Sequence, residues 1–285
     1  MDHRVTYPPS MRLPVFLVLL GTCALGSAAE YQIQGNIRYD RYPETVLDIV
    51  QPRAPALANR PGVIVIHGGG WVEGEKEKML EPFCLPFVEH DFVAANLEYR
   101  LAKSAHAPVA VQDVLKAAKW FQDHAAEYRV DPARIIVLGE SAGGELALLT
   151  AMLPASNPFG PAIRIAGAID FYGIADVPDQ LAGPNQQRYA AAWIPDQPDR
   201  MELAKQLSPL TYVRKPLPPI LAIHGDADPV VPYQQSVNFT KELKAAGDDS
   251  ELITVRNGKH GFTPDEMSKL WPQVFRWLKK HKISS

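Results

Sequence analysis

The stretch Ile135-Ile136-Val137-Leu138-Gly139-Glu140-Ser141-Ala142-Gly143-Gly144 changes character within a few residues. Ile135 to Leu138 is a short apolar run, largely β-branched, of the kind that fills an interior parallel strand. From Ala142 to Leu153, the leucines at 146, 148 and 149 read as a buried helix. Between the two, Gly139, Ser141 and Gly143 stand at G-x-S-x-G spacing. Three such positions recur in roughly one random chain in ten, so the pattern alone carries little. A strand that turns sharply into a helix gives it mechanical meaning. In so tight a turn, a side chain at either glycine would strike the neighbouring chain.

Outward from this turn, strands and helices alternate. Val63 to Ile66 and Phe92 to Leu97 read as buried strands. Val109 to Glu127 reads as a helix whose Val111, Val114, Leu115, Ala118, Phe121 and Ala125 share one face. Ile165 to Ile169, Ile220 to Ile223 and Glu251 to Val255 read as further strands. Pro232 to Ala246, ending at Gly247, and Asp265 to His281 read as helices. Tyr31 to Tyr39 and Thr45 to Val50 alternate apolar and polar residues as an antiparallel edge pair would. The alternation predicts an α/β fold, with a mostly parallel central sheet and helices on both faces. Ligand sites of such sheets lie beyond the carboxyl ends of the strands. Ser141, the loop Asp226 to Pro229 and His260 each follow a predicted strand, so one edge would gather them.

The 285 residues are 46% hydrophobic and 21% charged with net charge −3, which gives no ground to expect a nucleic-acid partner. No charge run, repeat or low-complexity linker divides the chain, so residues 30–285 are expected to form one domain. Gly173 to Leu207, rich in Pro, Gln and Asp, is placed to act as a lid insertion. Met11-Arg12, the apolar Leu13 to Leu20 and the small residues up to Ala29 have the layout of a secretory signal cleaved near Ala29. That predicts a secreted or periplasmic protein. The apolar run is too short for stable membrane insertion. Cys23 is a loose echo of a lipoprotein box; cleavage after Ala29 leaves Cys84 alone, with no internal disulfide. Oligomeric state has no signature here.

Serine is a weak nucleophile at neutral pH and needs a base, which in turn needs an orienting acid. In folds of this type the chain order is Ser, acid, His. Only His260 and His281 follow the acid loop. His281, in a lysine-rich tail, reads as a solvated surface residue. His260, in Asn257-Gly258-Lys259-His260-Gly261-Phe262, sits in a loop suited to a base. His224-Gly225-Asp226-Ala227-Asp228-Pro229 offers two acids. Asp228 lies deeper, with Pro229 fixing the chain after it, while Asp226 suits structural loop hydrogen bonds. Paired aspartates also suit a metal, but no further ligands stand at suitable spacing, and neither metal nor cofactor is expected. His67-Gly68-Gly69-Gly70-Trp71 directly follows the strand Val63 to Ile66, and its backbone N–H groups suit an oxyanion. Neither G-K-S/T nor G-x-G-x-x-G accompanies it, which argues against a phosphate cradle.

H-G-G-G-W at 67–71, E-Y-R at 98–100, G-E-S-A-G-G at 139–144, H-G-D-A-D-P-V-V-P at 224–232 and G-K-H-G-F at 258–262 together resemble the α/β-hydrolase esterases of the hormone-sensitive-lipase-like and BD-FAE-like groups. The resemblance runs from about Tyr31 to the C-terminus. It implies Ser141 as nucleophile, His260 as base, Asp228 as orienting acid, and an oxyanion hole from the amides of Gly69, Gly70 and Ala142. The hormone-sensitive-lipase group usually carries an N-terminal helical cap and an Asp where Glu140 stands, so the BD-FAE-like side, with its feruloyl and acetyl-xylan esterase kin, fits better. The function implied is a serine esterase acting on small-molecule or polysaccharide esters. Trp71, Tyr189 and Trp193 are the aromatic residues expected around the substrate. Glu140 is expected to turn away from the nucleophile and support the site through hydrogen bonds. Two rivals share the fold: a prolyl-oligopeptidase-like exopeptidase, which expects a propeller domain ahead of the core, and a non-catalytic binding protein, which typically lacks a member of the triad.

Overall fold

A computed structural model of the chain describes residues 30–56 and 58–284. The expected signal segment and Cys23 lie outside the described residues. Eight strands form one sheet: β1 (Tyr31–Arg38), β2 (Val46–Pro52), β3 (Arg60–Ile66), β4 (Val93–Leu97), β5 (Val130–Glu140), β6 (Ala168–Phe171), β7 (Ile220–Gly225) and β8 (Ser250–Val255). Their spatial order is β1-β2-β4-β3-β5-β6-β7-β8. β2 runs antiparallel to both its neighbours, and every pair from β4 across to β8 is parallel. The helices are α1 (Leu85–Glu89), α2 (Val109–Asp123), α3 (Ala142–Met152), α4 (Val177–Ala182), α5 (Arg188–Trp193), α6 (Arg200–Gln206), α7 (Tyr233–Ala245) and α8 (Pro264–Lys280).

The central strands are mostly apolar because each of their faces is a core, with Asn96, Asp170 and His224 as buried polar exceptions. Ile64, Ile66, Ile135 and Val137 belong to a cluster with residues of α2, α3 and α7, while Val63, Val65, Ile136 and Leu138 belong to a second cluster with α1 and α8. The period-two alternation of a strand divides its side chains between the two. Burying both faces fixes the register, since a slip of one residue would exchange the two sets.

Several elements differ from expectation. The helix read as Val109 to Glu127 stops at Asp123. Its apolar pattern misleads because the turn after it folds back and still buries Ala125, whose carbonyl accepts from Val130 N at 2.7 Å. β5 begins at Val130, earlier than the apolar run, since Asp131 to Ile135 include residues that face solvent. The strand read at Ile165 to Ile169 starts at Ala168, where pairing with Val137 begins; Ile165 is buried as loop packing instead. A short helical stretch from Leu80 to Glu89 stands outside the elements that the sequence pattern predicts. The insertion 173–207 folds as α4, α5 and α6. Among the described residues, no helix is long and apolar enough to cross a membrane.

Candidate active site

Ser141 joins β5 to α3 with φ 54° and ψ −121°, a conformation that costs a residue with a side chain about 1–3 kcal/mol. The surroundings hold it there. Its N–H donates to Phe171 O at 2.9 Å on β6, and its carbonyl accepts from Gly144 N and Glu145 N at 2.9 and 3.2 Å. A Cβ at Gly139 would run into the Gly143 carbonyl, and one at Gly143 into the carbonyls of Ile66 and His67. The two glycines therefore let the turn and the loop after β3 close on each other.

Beyond the ends of β5, β7 and β8, the structure brings Ser141, Asp228 and His260 together. His260 Nε2 lies 2.9 Å from Ser141 Oγ, and His260 Nδ1 lies 2.7 Å from Asp228 Oδ2. Asp228 Oδ1 accepts from Val230 N at 2.7 Å and Val231 N at 3.0 Å. A carboxylate can only accept, so His260 Nδ1 carries the proton and the bare Nε2 faces the serine hydroxyl. Burial alone would raise the Asp228 carboxyl, but hydrogen bonds from His224 and His260, the charge of His260 and the Val230 amide outweigh it and hold Asp228 well below the usual carboxylate range. A lowered carboxylate stabilises the fold above its unfolded value and loses that effect only as pH falls through the folded one, so Asp228 stays charged through neutral and mildly acid conditions. α8 fixes the exit of the His260 loop through a reciprocal cap: Glu266 N donates to Thr263 Oγ1 at 3.3 Å, and Thr263 N donates to Glu266 Oε2 at 2.7 Å.

Asp226 instead accepts from Asn257 N at 2.5 Å and ties the β7 loop to the β8 loop. His281 departs from expectation. Its side chain is only 11% exposed and packs by Trp277, because the tail folds back onto the sheet.

Gly69 and Gly70, at φ 101° and 59°, carry the loop after β3 to the hollow that Ser141 also lines, and the Gly69 carbonyl accepts from Val72 N and Glu73 N at 3.1 and 3.0 Å. The amides of Gly69, Gly70 and Ala142 donate no hydrogen bond among the described residues. The base of the loop is anchored in several ways. Gly68 N donates to Glu140 Oε1 at 2.8 Å, Tyr99 Oη donates to His67 O at 3.1 Å, and the His67 ring stacks on Tyr99 at 4.3 Å. His67 Nε2 lies 3.0 Å from Glu98 Oε1, and Arg100 donates to Asp113 through Nε and Nη2. The E-Y-R segment thus buttresses the glycine loop from below. Desolvation raises the Glu140 carboxyl, opposed by the Gly68 amide and by His260 and His67.

A hollow of about 570 Å³ opens over Ser141 and His260, walled by Gly69, Gly70, Val72, Tyr189, Ala192 and Val230, with Glu73, Glu140 and Arg188 as its charged lining. A larger hollow, about 760 Å³, lies by β1 and α1 and shares no residue with it. Of the three aromatic residues expected around the substrate, only Tyr189 lines the hollow. Trp71 and Trp193 are 0% exposed and stack on each other at 4.0 Å. Trp71 Nε1 donates to Glu145 Oε2 at 3.0 Å, so its N–H and one ring face are both occupied inside the core. Composition cannot separate a core indole from a wall indole.

Sequence reasoning passed over Tyr172, whose ring lies 4.8 Å from that of His260. It directly follows β6, so the same edge rule that gathered the other residues points to it. It also passed over Glu145, buried at 0% beneath the glycine loop with its carboxyl pushed well up by desolvation.

The BD-FAE family profile matches residues 47–243. A probable carboxylic ester hydrolase of Mycobacterium tuberculosis, LipM, is 29% identical over 226 residues, which cover 75% of this chain and 52% of LipM. The chain thus spans about half the length of the curated relatives it matches. Among solved structures, a truncated carbohydrate esterase from gut microbiota superposes with TM-score 0.78 at 26% identity, covering 88% of this chain and 96% of that one. Esterase 2 of Thermogutta terrifontis, in a butyrate-bound form, gives TM-score 0.75 at 26% identity, covering 90% and 96%. The fold they share with this chain is the α/β-hydrolase fold.

Proposed function

The chain belongs to the BD-FAE family, and we propose from that premise that it hydrolyses short carboxylic esters through an acyl-serine intermediate. One observation carries this reading: Ser141 Oγ, on a strained turn facing a hollow, stands 2.9 Å from a histidine whose far nitrogen is held by a buried carboxylate. His260 Nε2 takes the Ser141 proton as Oγ attacks the ester carbonyl. The tetrahedral oxyanion meets the amides of Gly69, Gly70 and Ala142. As the C–O bond to the alcohol breaks, His260 returns the proton to the leaving oxygen. The same imidazole then activates water, which releases the acid from Ser141.

The substrates we propose are short acyl or hydroxycinnamoyl esters on plant polysaccharide, met outside the cell after export directed by residues 1–29. In support, the wall of the hollow offers small apolar groups at Val72, Ala192 and Val230 beside the Tyr189 ring, while Glu73 and Arg188 are exposed polar groups suited to a sugar. One neighbour is described as a carbohydrate esterase, and another was captured with butyrate. The test compares para-nitrophenyl acyl esters of rising chain length with acetate release from acetylated xylan. We expect kcat/KM to peak between acetate and butyrate and to fall at least about tenfold by octanoate, with acetate released from the polysaccharide. A preference for long chains would refute the substrate assignment, and faster turnover of peptide anilides than of esters would favour the exopeptidase.

Glu140→Gln keeps an oxygen to accept from Gly68 but removes a charge facing His260. The raised carboxyl means that ionised Glu140 opposes folding above its folded value, a penalty absent below its unfolded one. At pH 7 the variant is therefore expected to melt at the same or a higher temperature. Its kcat/KM should fall by roughly three- to tenfold, through weaker stabilisation of the imidazolium. Calorimetry together with steady-state kinetics checks both; complete loss of activity in the folded variant would mean that Glu140 has a direct part in the chemistry.

A further inference from the structure

The carboxylate of Asp228 is approached by two imidazoles. His224, the first residue of the H-G-D-A-D-P segment, is the penultimate residue of β7 with 0% exposure. Its Nε2 lies 3.0 Å from Val231 O and 3.3 Å from Asp228 Oδ2, the same oxygen that accepts from His260. A carbonyl can only accept, so His224 Nε2 carries a proton, and one N–H is shared between the carbonyl and the carboxylate. His224 Nδ1 lies 2.7 Å from Ser236 Oγ on α7, a hydroxyl able to complete the ring's bonding. Val231 N in turn donates to Asp228 Oδ1 at 3.0 Å, so the His224 proton closes the turn 228–231 around the carboxylate. A histidine that only filled core volume would not need to present its proton to the acid of the site.

We infer that His224 is a positioning residue: by sharing its Nε2 proton with Asp228 and Val231, it fixes the carboxylate in the plane that aims His260 at Ser141 and offsets part of its charge. The inference rests on the proposed roles of Ser141, Asp228 and His260. The other titratable groups packed around these side chains are Asp170 on β6, a carboxyl raised by burial to about 7, Tyr172 after β6, Glu140 at the end of β5, Tyr189 on α5 and Tyr233 on α7. They are common to every variant below, so differences between variants report the change at 224.

His224→Leu removes the donor and approximates the volume; His224→Gln restores an Nε donor at similar reach. In His224→Leu, kcat is expected to fall roughly 10- to 100-fold with KM little changed, the span for losing a hydrogen bond to a charged group. The acid limb of its kcat/KM profile should move to higher pH, because a less compensated Asp228 holds the imidazolium of His260 more strongly. His224→Gln should return the limb to its original place and the rate to within about threefold. A merely structural role would lower the folded fraction without moving the limb. The inference falls if folded His224→Leu keeps its kcat within twofold and its limb unmoved. Should His224→Leu fail to fold, ¹⁵N NMR of the unaltered protein decides: a proton on His224 Nε2 is expected, and a bare Nε2 would overturn the assignment. Ser141→Ala separates the two levels. If it still turns over esters, the underlying reading has failed; if it is inert while His224→Leu behaves normally, only the role of His224 has.

Discussion

Ser141→Ala is expected to lose ester hydrolysis by roughly 10⁴- to 10⁶-fold in kcat/KM while remaining folded. The hydroxyl is the only group the substitution removes, and Ala keeps the Cβ that the strained turn already accommodates at φ 54°. The elbow should therefore survive, with its N–H still donating to Phe171 O. What remains in the variant is binding and the amides of the glycine loop, which stabilise an oxyanion but form no acyl-enzyme. Steady-state kinetics on para-nitrophenyl acetate, with circular dichroism to establish folding, makes the measurement. Labelling by a fluorophosphonate should vanish together with turnover. Substantial turnover by the folded Ala variant would end the acyl-serine reading.

Asp228→Asn should cost roughly 10⁴-fold, for a reason the hydrogen bonds make specific. The amides of Val230 and Val231 both point at Oδ1 of Asp228, so the oxygen of an asparagine must take that place. Its NH₂ group is then turned toward His260 Nδ1, where it donates rather than accepts. His260 is driven to the tautomer with its proton on Nε2, facing the Ser141 hydroxyl with no lone pair to receive a proton. The variant's NH₂ also meets the N–H of His224, adding a clash of donors. Asp226→Asn, two residues earlier, keeps an acceptor for Asn257 N and should change kcat/KM by no more than about threefold. Measuring the two variants side by side tests the assignment directly, and comparable losses at both positions would refute it.

Much of this was legible in the chain. The strand-to-helix change at Ser141, the order serine, acid, histidine, and the glycine loop after β3 are local patterns whose steric reasons operate within a few residues. The alternating strands and helices were readable for the same reason, because strands buried on both faces are mostly apolar. Element ends were less so: Ala125 stays buried beyond the end of α2, and Asp131 to Arg134 sit in a strand without apolar character. Trp71 and Trp193 show the limit at the site. Their size marked them as important, yet whether an indole faces a hollow or another indole depends on how α5 lies over the glycine loop.

The kind of fold, the strained turn and the list of side chains able to act as nucleophile, base and acid follow from side-chain chemistry and local spacing. Which of these side chains meet is set by long-range packing. Ser141 and His260 are 119 residues apart in the chain, and their 2.9 Å contact depends on the parallel register from β5 through β8 that sets their loops on one edge. The same packing turned His224 from one letter of a motif into a second imidazole on Asp228. The physical reason is that a hydrogen bond needs an alignment of a few tenths of an ångström, which close packing of distant segments supplies and the order of residues along the chain does not specify.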